Sequence, residues 1–158
     1  MHEKHEKTNA MRQLDRKKAA YTVHSYDGGA LSGTEVAAAL GQDPAHCFKT
    51  LVTVGRNGGY YVFMIPVAAE LDLRKAASAA GEKSVAMLPQ KELLPLTGYI
   101  HGGCSPIGMK KQFPTFADAT IADGETVCFS GGRVGLQIET TLAALQSVVP
   151  VTLADLTV

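Results

Sequence analysis

Apolar positions along this chain recur at helical spacing in some stretches and at strand spacing in others, and the changes of period mark the elements. Met11 and Leu14 share one helical face behind Thr8, a good capping residue, and Arg16, Lys17 and Lys18 load the far end where a helix dipole favours cations. A helix is therefore predicted from Thr8 to about Ala20. Tyr21 to Tyr26 packs β-branched and aromatic residues closely and predicts a strand, ended by Asp27, Gly28 and Gly29. Thr34 and Glu35 open an alanine-rich helix over Val36 to Leu40, with Gly41 as its left-handed end before Asp43 and Pro44.

The sharpest local signal is a hairpin. Asn57 and Gly58 stand between two apolar runs, Cys47 to Val54 and Tyr60 to Ile65, and this dipeptide suits a tight turn between strands. Asp72 to Ala80 reads as a helix closed by Gly81, Ser84 to Met87 as a short strand, and Pro89 as the start of a helical turn that Pro95 and Gly98 stop. Beyond Tyr99, glycine-rich turns separate predicted strands at Thr115 to Ile121, Thr126 to Phe129 and Val134 to Glu139, and a last helix, Thr141 to Val148, finishes the domain. Hairpins occur without regular strand–helix alternation, so the predicted class is α+β: a single domain with a mixed, curved, barrel-like sheet and flanking helices.

Composition narrows the function. A chain of 158 residues, 46% hydrophobic, suffices for one core. The expected division is a flexible tail over residues 1–7 and one domain over residues 8–158. Fifteen basic residues balance fifteen acidic ones, giving a formal net charge of +0, so no global field draws the chain to a polyanion such as DNA. Any RNA must be held by local basic patches or delivered by another protein. Cys47, Cys104 and Cys128 are odd in number and lack C-x-x-C spacing, which argues against a disulfide framework or zinc ribbon and for a reducing cytoplasm. The run from Met1 to Lys7 is too charged to serve as the apolar core of a signal peptide, and the best apolar run, Tyr60 to Ala69, is interrupted by Pro66 and too short to span a bilayer, so no membrane role is expected. His2 and His5 are three apart, not the four of an H-E-x-x-H zinc motif, so no metal is expected there; no cofactor is expected either.

Chemistry concentrates in three segments. Lys49 stands inside a predicted strand beside Phe48, Leu51 and Val52; it either points to water or places a cation in an apolar cleft. The paired glycines Gly102 and Gly103, followed by Cys104, Ser105, Pro106, Ile107, Gly108, Met109, Lys110 and Lys111, allow backbone N–H groups to approach a ligand. A second glycine cluster, Ser130, Gly131, Gly132, Arg133, Val134 and Gly135, leads into Leu136, Gln137, Ile138 and Glu139 and matches neither a P-loop nor a dinucleotide fingerprint.

Taken in order, these segments resemble the YbaK/EbsC family, which is similar to the editing insertion domain of bacterial prolyl-tRNA synthetase. The resemblance runs from about Thr8 to Leu156. It rests on the K-T-L-V at Lys49, on Ile65-Pro66-Val67-Ala68 followed by Leu71-Asp72-Leu73, on the G-G-x-S-P-x-G-x-K-K at Gly102, on the P-T-x-x-D at Pro114 to Asp118, and on the S-G-G-x-x-G-L at Ser130. The Gly102 motif with Lys110 and Lys111 is more like the cysteinyl than the alanyl deacylases.

The resemblance implies a trans-editing hydrolase that removes cysteine from mischarged Cys-tRNA(Pro), with the 3′ end of an aminoacyl-tRNA as substrate and prolyl-tRNA synthetase as partner. Cysteine and proline are close in size and one apolar pocket separates them poorly, so a second sieve is needed. The implied nucleophile is the substrate's own thiol, which gains from effective molarity and needs no Ser-His-Asp set. Lys49, Gly102, Gly103 and Ser130 then carry catalysis; Tyr26, Ser105, Pro106, Gly108, Gly131, Gly132 and Gln137 bind substrate; Lys110, Lys111 and Arg133 are candidates to meet RNA. Gln137 departs from relatives that carry Asp, so an amide hydrogen bond replaces any carboxylate role there. Cys104 has only His101 as a candidate base, and Cys47 and Cys128 are expected to be small apolar core residues. An alanyl-tRNA(Pro) deacylase of the same fold, and a non-catalytic module binding a synthetase or an aminoacyl-tRNA end, are the alternatives.

Overall fold

The computed structural model describes residues 6–27, 29 and 31–158. Gly28 and the pair His2 and His5, on which the strand-end and metal readings drew, lie outside the described residues. The elements are α1 (Asn9–Arg16), β1 (Thr22–Ser25), α2 (Gly33–Ala39), β2 (Phe48–Gly55), β3 (Tyr60–Pro66), α3 (Leu73–Ala80), β4 (Val85–Met87), α4 (Leu93–Thr97), β5 (Thr115–Asp118), β6 (Val127–Ser130), β7 (Leu136–Thr140), α5 (Leu142–Val148) and β8 (Val151–Ala154), with short 3₁₀ turns between some of them. The α+β class holds.

The strands form a five-stranded mixed sheet in the order β4-β2-β3-β5-β8 and a three-stranded antiparallel sheet in the order β1-β7-β6. β3 lies between antiparallel β2 and parallel β5, covered on both faces, which is why Val62, Phe63, Met64 and Ile65 form an unbroken apolar run and are all fully buried. Its alternate side chains feed different clusters. Phe63 and Ile65 pack with Ala76 and Ala77 of α3 and with Leu156, and Phe63 stacks on Phe116. Met64 faces the opposite way, into a cluster of Ala10, Met11 and Leu14 from α1, Phe129 and Ile138 from the small sheet, and Leu145 from α5.

The two sheets meet along β2 and β6, where an isolated parallel bridge pairs Cys47 with Cys128. Side chains alternate at a period of two, so Lys49 and Ser130 stand two residues beyond the bridge on the same faces as the two cysteines. The seam therefore brings the lysine segment and the second glycine cluster side by side.

Several boundaries differ from the sequence expectation, each for a local reason. α1 ends at Arg16 rather than Ala20 because Lys18 turns left-handed, with φ 55°. α2 is capped by Ser32, whose side chain accepts from the Glu35 N–H while Glu35 returns to the Ser32 N–H; Thr34 lies inside the helix. Pro95 does not stop α4: it occupies the first turn, where the missing N–H has no helical acceptor, and Gly98 alone ends the helix. β5 stops at Asp118 rather than Ile121, since the Asp118 carboxylate accepts from the Thr120 N–H and hydroxyl and bends residues 119–123 into a 3₁₀ turn. β7 begins at Leu136 rather than Val134 because Gly135, at φ 94°, completes a turn. The expected final helix is followed by a further strand, β8, which runs parallel to β5.

Candidate functional site

A cleft of about 300 Å³ opens where the seam between the sheets is covered by α2 and the Gly102 loop. Tyr26, Lys49, Gly102, Ser130 and Gln137 all line it. The sequence reading thus converges on one hollow from β1, β2, the loop after α4, and the β6–β7 hairpin.

The polar groups facing this hollow are largely unpartnered. Lys49 is half-buried, and among the described residues its ammonium has no ion-pair or hydrogen-bond partner. The Gly102 N–H likewise has none. Gln137 is only 6% exposed and its Oε1 is buried without a partner, as is Oγ1 of Thr50, the neighbour of Lys49. Buried polar atoms are seldom left unpaired in a native protein unless something else arrives to meet them. Ser130 Oγ accepts from the Gly132 N–H at 3.2 Å, which leaves its O–H free to donate.

Apolar side chains shape the rest: Leu31 and Val36 from the α2 side, Phe48, Val67, Leu93, Phe129 and Leu136. The sequence pattern singles out none of them as a site residue. They carry no chemical signature and meet only through tertiary packing. Cys47, expected in the core, is buried, but it also forms part of the cleft wall.

The remaining expected site residues build the scaffold rather than the surface of the hollow. The Gly103 N–H donates to the Ile100 carbonyl and the Gly131 N–H to the Leu136 carbonyl, both at 2.9 Å, so neither amide is free to meet a substrate oxygen. Ser105 is buried and its Oγ accepts from the Ile107 N–H. Pro106 is buried beside it. Gly108 has φ 84°, and a Cβ there would lie 2.6 Å from Tyr99 Oη and 2.9 Å from Asn9 Cβ. Gly132, at φ 100°, fits against Tyr99 and Thr8. Lys110, Lys111 and Arg133 are exposed, and Lys110 Nζ donates to the Pro95 carbonyl.

Cys104 lines the cleft but is poorly suited to be a nucleophile. Burial pushes its thiol up to about 12, far from the thiolate that attack requires. Among the described residues no group of three or more His, Cys, Asp or Glu side chains is disposed to hold a metal ion, and no helix is long and apolar enough to cross a membrane.

Known proteins share this architecture and sequence. The chain is 44% identical to EbsC of Enterococcus faecalis (strain ATCC 700802 / V583), assigned as a Cys-tRNA(Pro)/Cys-tRNA(Cys) deacylase, over 96% of this chain and 94% of that protein. A crystal structure described as a trans-editing enzyme for prolyl-tRNA synthetase superposes with a TM-score of 0.83 at 26% identity, covering 94% of this chain and 92% of the other. A crystallised hypothetical protein shares the fold alone, with a TM-score of 0.87 at 22% identity over 96% of this chain and all of that one. Residues 29–148, which include both glycine clusters and all of the cleft lining but Tyr26, match the aminoacyl-tRNA editing domain, and the chain belongs to that family.

Proposed function

We propose that this protein is a trans-editing hydrolase that removes cysteine from mischarged Cys-tRNA(Pro), and that the cleft between the sheets is its active site. The observation that carries the reading is the gathering of Lys49, Gly102, Ser130 and Gln137 around one apolar-walled hollow, where among the described residues the Lys49 ammonium, the Gly102 N–H and Gln137 Oε1 have no partner and the Ser130 O–H is free to donate.

The aminoacyl ester is already activated, so the site has only to hold it and stabilise charge on the carbonyl oxygen. The cysteine thiol attacks its own carbonyl carbon. The C–S bond forms, the bond to the ribose oxygen breaks, and the thiol proton ends on that oxygen. Water then opens the resulting thiolactone to free cysteine. The Gly102 N–H and the Ser130 hydroxyl are donors for the developing oxyanion. Lys49 holds the terminal adenosine or its phosphate, Gln137 Oε1 accepts from the substrate amine or ribose, and Tyr26 closes one side. The small apolar walls admit cysteine and exclude bulkier residues.

The chain acts in the cytoplasm, whose reducing poise suits three cysteines that carry no structural disulfide, and prolyl-tRNA synthetase supplies selection of the acceptor RNA. The test follows ester loss from Cys-tRNA(Pro), S-methylated Cys-tRNA(Pro) and Ala-tRNA(Pro). Cysteine should be released well above the buffer rate, with the blocked and alanyl esters poor. Efficient cleavage of the blocked ester removes thiol assistance; preference for alanine reassigns the substrate; no cleavage of any ester leaves only a binding module.

A further inference from the structure

The mechanism leaves two buried thiols at the foot of the cleft without a role. Cys47 and Cys128 are direct partners in the bridge that joins the sheets, and both are 2% exposed, packed with Ala37 and Val67. Paired residues on neighbouring strands point the same way from backbones about 4.8 Å apart, inside the roughly 4.4–6.8 Å between Cα atoms that a disulfide accepts. Cys104 packs in a different cluster, although it lines the same cleft as Cys47.

The pair is also asymmetric. Cys47 reaches the cleft wall, whereas Cys128 lies behind it. Cys47 Sγ donates to Gln42 Oε1 at 3.3 Å. A hydrogen bond from the Cys128 thiol holds Cys47 below the usual thiol range, while Cys128 is raised by the same contact and by burial. One sulfur is reachable and more readily ionised; its neighbour stays protonated beside it.

We propose that Cys47 and Cys128 form a peroxide-sensitive dithiol whose reversible oxidation to a disulfide shuts down the adjoining cleft. The Cys47 thiolate attacks one oxygen of hydrogen peroxide, the O–O bond breaks, and the departing hydroxide takes up a proton to leave as water. Cys128 sulfur then attacks the Cys47 sulfenic acid. The S–S bond forms, the S–O bond breaks, and the hydroxyl leaves with the Cys128 proton as a second water. Two thiols lose two electrons and one peroxide becomes two waters; an external dithiol reverses the step. Lys49 and Ser130 lie two residues beyond the bridge, so drawing the sulfurs to about 2.05 Å resets the span between them. Loss of activity rests on the function proposed above, whereas the cross-link does not.

The experiment treats the full native chain with hydrogen peroxide, removes the oxidant by desalting, and divides the sample. Peptide mapping without reduction should find a Cys47–Cys128 peptide, lighter by two hydrogens, with Cys104 still free. Release of cysteine from Cys-tRNA(Pro) should fall by about tenfold or more, as a small displacement of positioned groups can produce, and recover with dithiothreitol. In Cys128→Ala the linked peptide should vanish and Cys47 sulfenic acid should be trapped by dimedone. Absence of the linked peptide in the native chain, prior oxidation of Cys104, or an unchanged rate after complete cross-linking overturns the proposal. If the reduced chain releases no cysteine at all, the proposed function fails and the rate claim with it, while the peptide map still decides the dithiol.

Discussion

Ser130 and Gln137 face each other across the β6–β7 ladder, so hydroxyl and amide project from paired positions on the same side of the small sheet, into the cleft. The pairing explains how a glycine-rich turn contributes two polar groups to one site. The turn between them is closed by the bond from the Gly131 N–H to the Leu136 carbonyl.

The buried, unpartnered Oε1 of Gln137 is the acceptor proposed above for the substrate amine or ribose, and an orphaned acceptor of this kind costs stability. Gln137→Leu removes the orphaned acceptor while keeping much of the volume. Chemical denaturation should show stability unchanged or raised by up to about 2 kcal/mol, the desolvation penalty of such a group. In the same variant KM for the aminoacyl ester should rise by about tenfold, the equivalent of one hydrogen bond. A fall in stability with unchanged KM would make the amide a structural residue.

Gly108 belongs to the most conspicuous motif in the sequence, yet its role is to let the loop pass beneath α1. Its φ is 84°, and Tyr99 Oη lies 2.6 Å from where a Cβ would stand, so there is no room for a side chain. Gly108→Ala should cost on the order of 2 kcal/mol or more in urea unfolding. Gly102→Ala carries the same left-handed backbone cost, at φ 85°, but meets only Val134 Cγ2, at 3.5 Å, and should lose less stability and more activity.

Local chemistry was legible in the sequence where it acts over a few residues. Thr8, Asp72 and Thr141 cap their helices, Gly81 closes α3 in the left-handed region, and Asn57 and Gly58 turn the hairpin. What depends on distant partners was not. β8 follows Pro150, buries little of its own surface, and is a strand because β5 lies beside it. The apolar cleft wall is assembled from α2, Val67 and Leu93, which no spacing rule connects. Of the G-G-x-S-P-x-G motif, the sequence exposed the residues but not their division: Gly102 faces the cleft, while Ser105, Pro106 and Gly108 hold its support.

Burial of Cys104 and Tyr99 gives stability a defined alkaline limb. Burial pushes both groups up to about 12 in the folded chain, above their ordinary values. A neutral acid favoured by folding contributes fully below its unfolded pKa, near 8.5 for a thiol and 10 for a tyrosine. The contribution is lost as pH rises toward the folded value, by up to about 1.4 kcal/mol per pH unit for each group. Urea unfolding at about pH 8 and about pH 10.5 should show this decline, and Cys104→Ala should flatten it while keeping most deacylation activity. A pH-independent stability over that interval would contradict the burial argument.

A net charge of +0 supplies no overall attraction to phosphate, and Lys110, Lys111 and Arg133 are exposed beside the glycine loops. Uncharged-end tRNA should bind weakly, and Lys111→Ala should lower the salt dependence of log K by about 1. Tight, strongly salt-sensitive binding of bare tRNA in a titration would show that the chain selects its RNA without help from a synthetase.

The most direct measurement is single-turnover release of cysteine from Cys-tRNA(Pro) by the native chain and by Lys49→Ala, alongside their unfolding curves. Among the described residues Lys49 has no protein partner to lose, so the two curves should coincide, while the variant should release cysteine at least about 10²-fold more slowly. Equal rates in two equally stable proteins would place the chemistry outside this cleft.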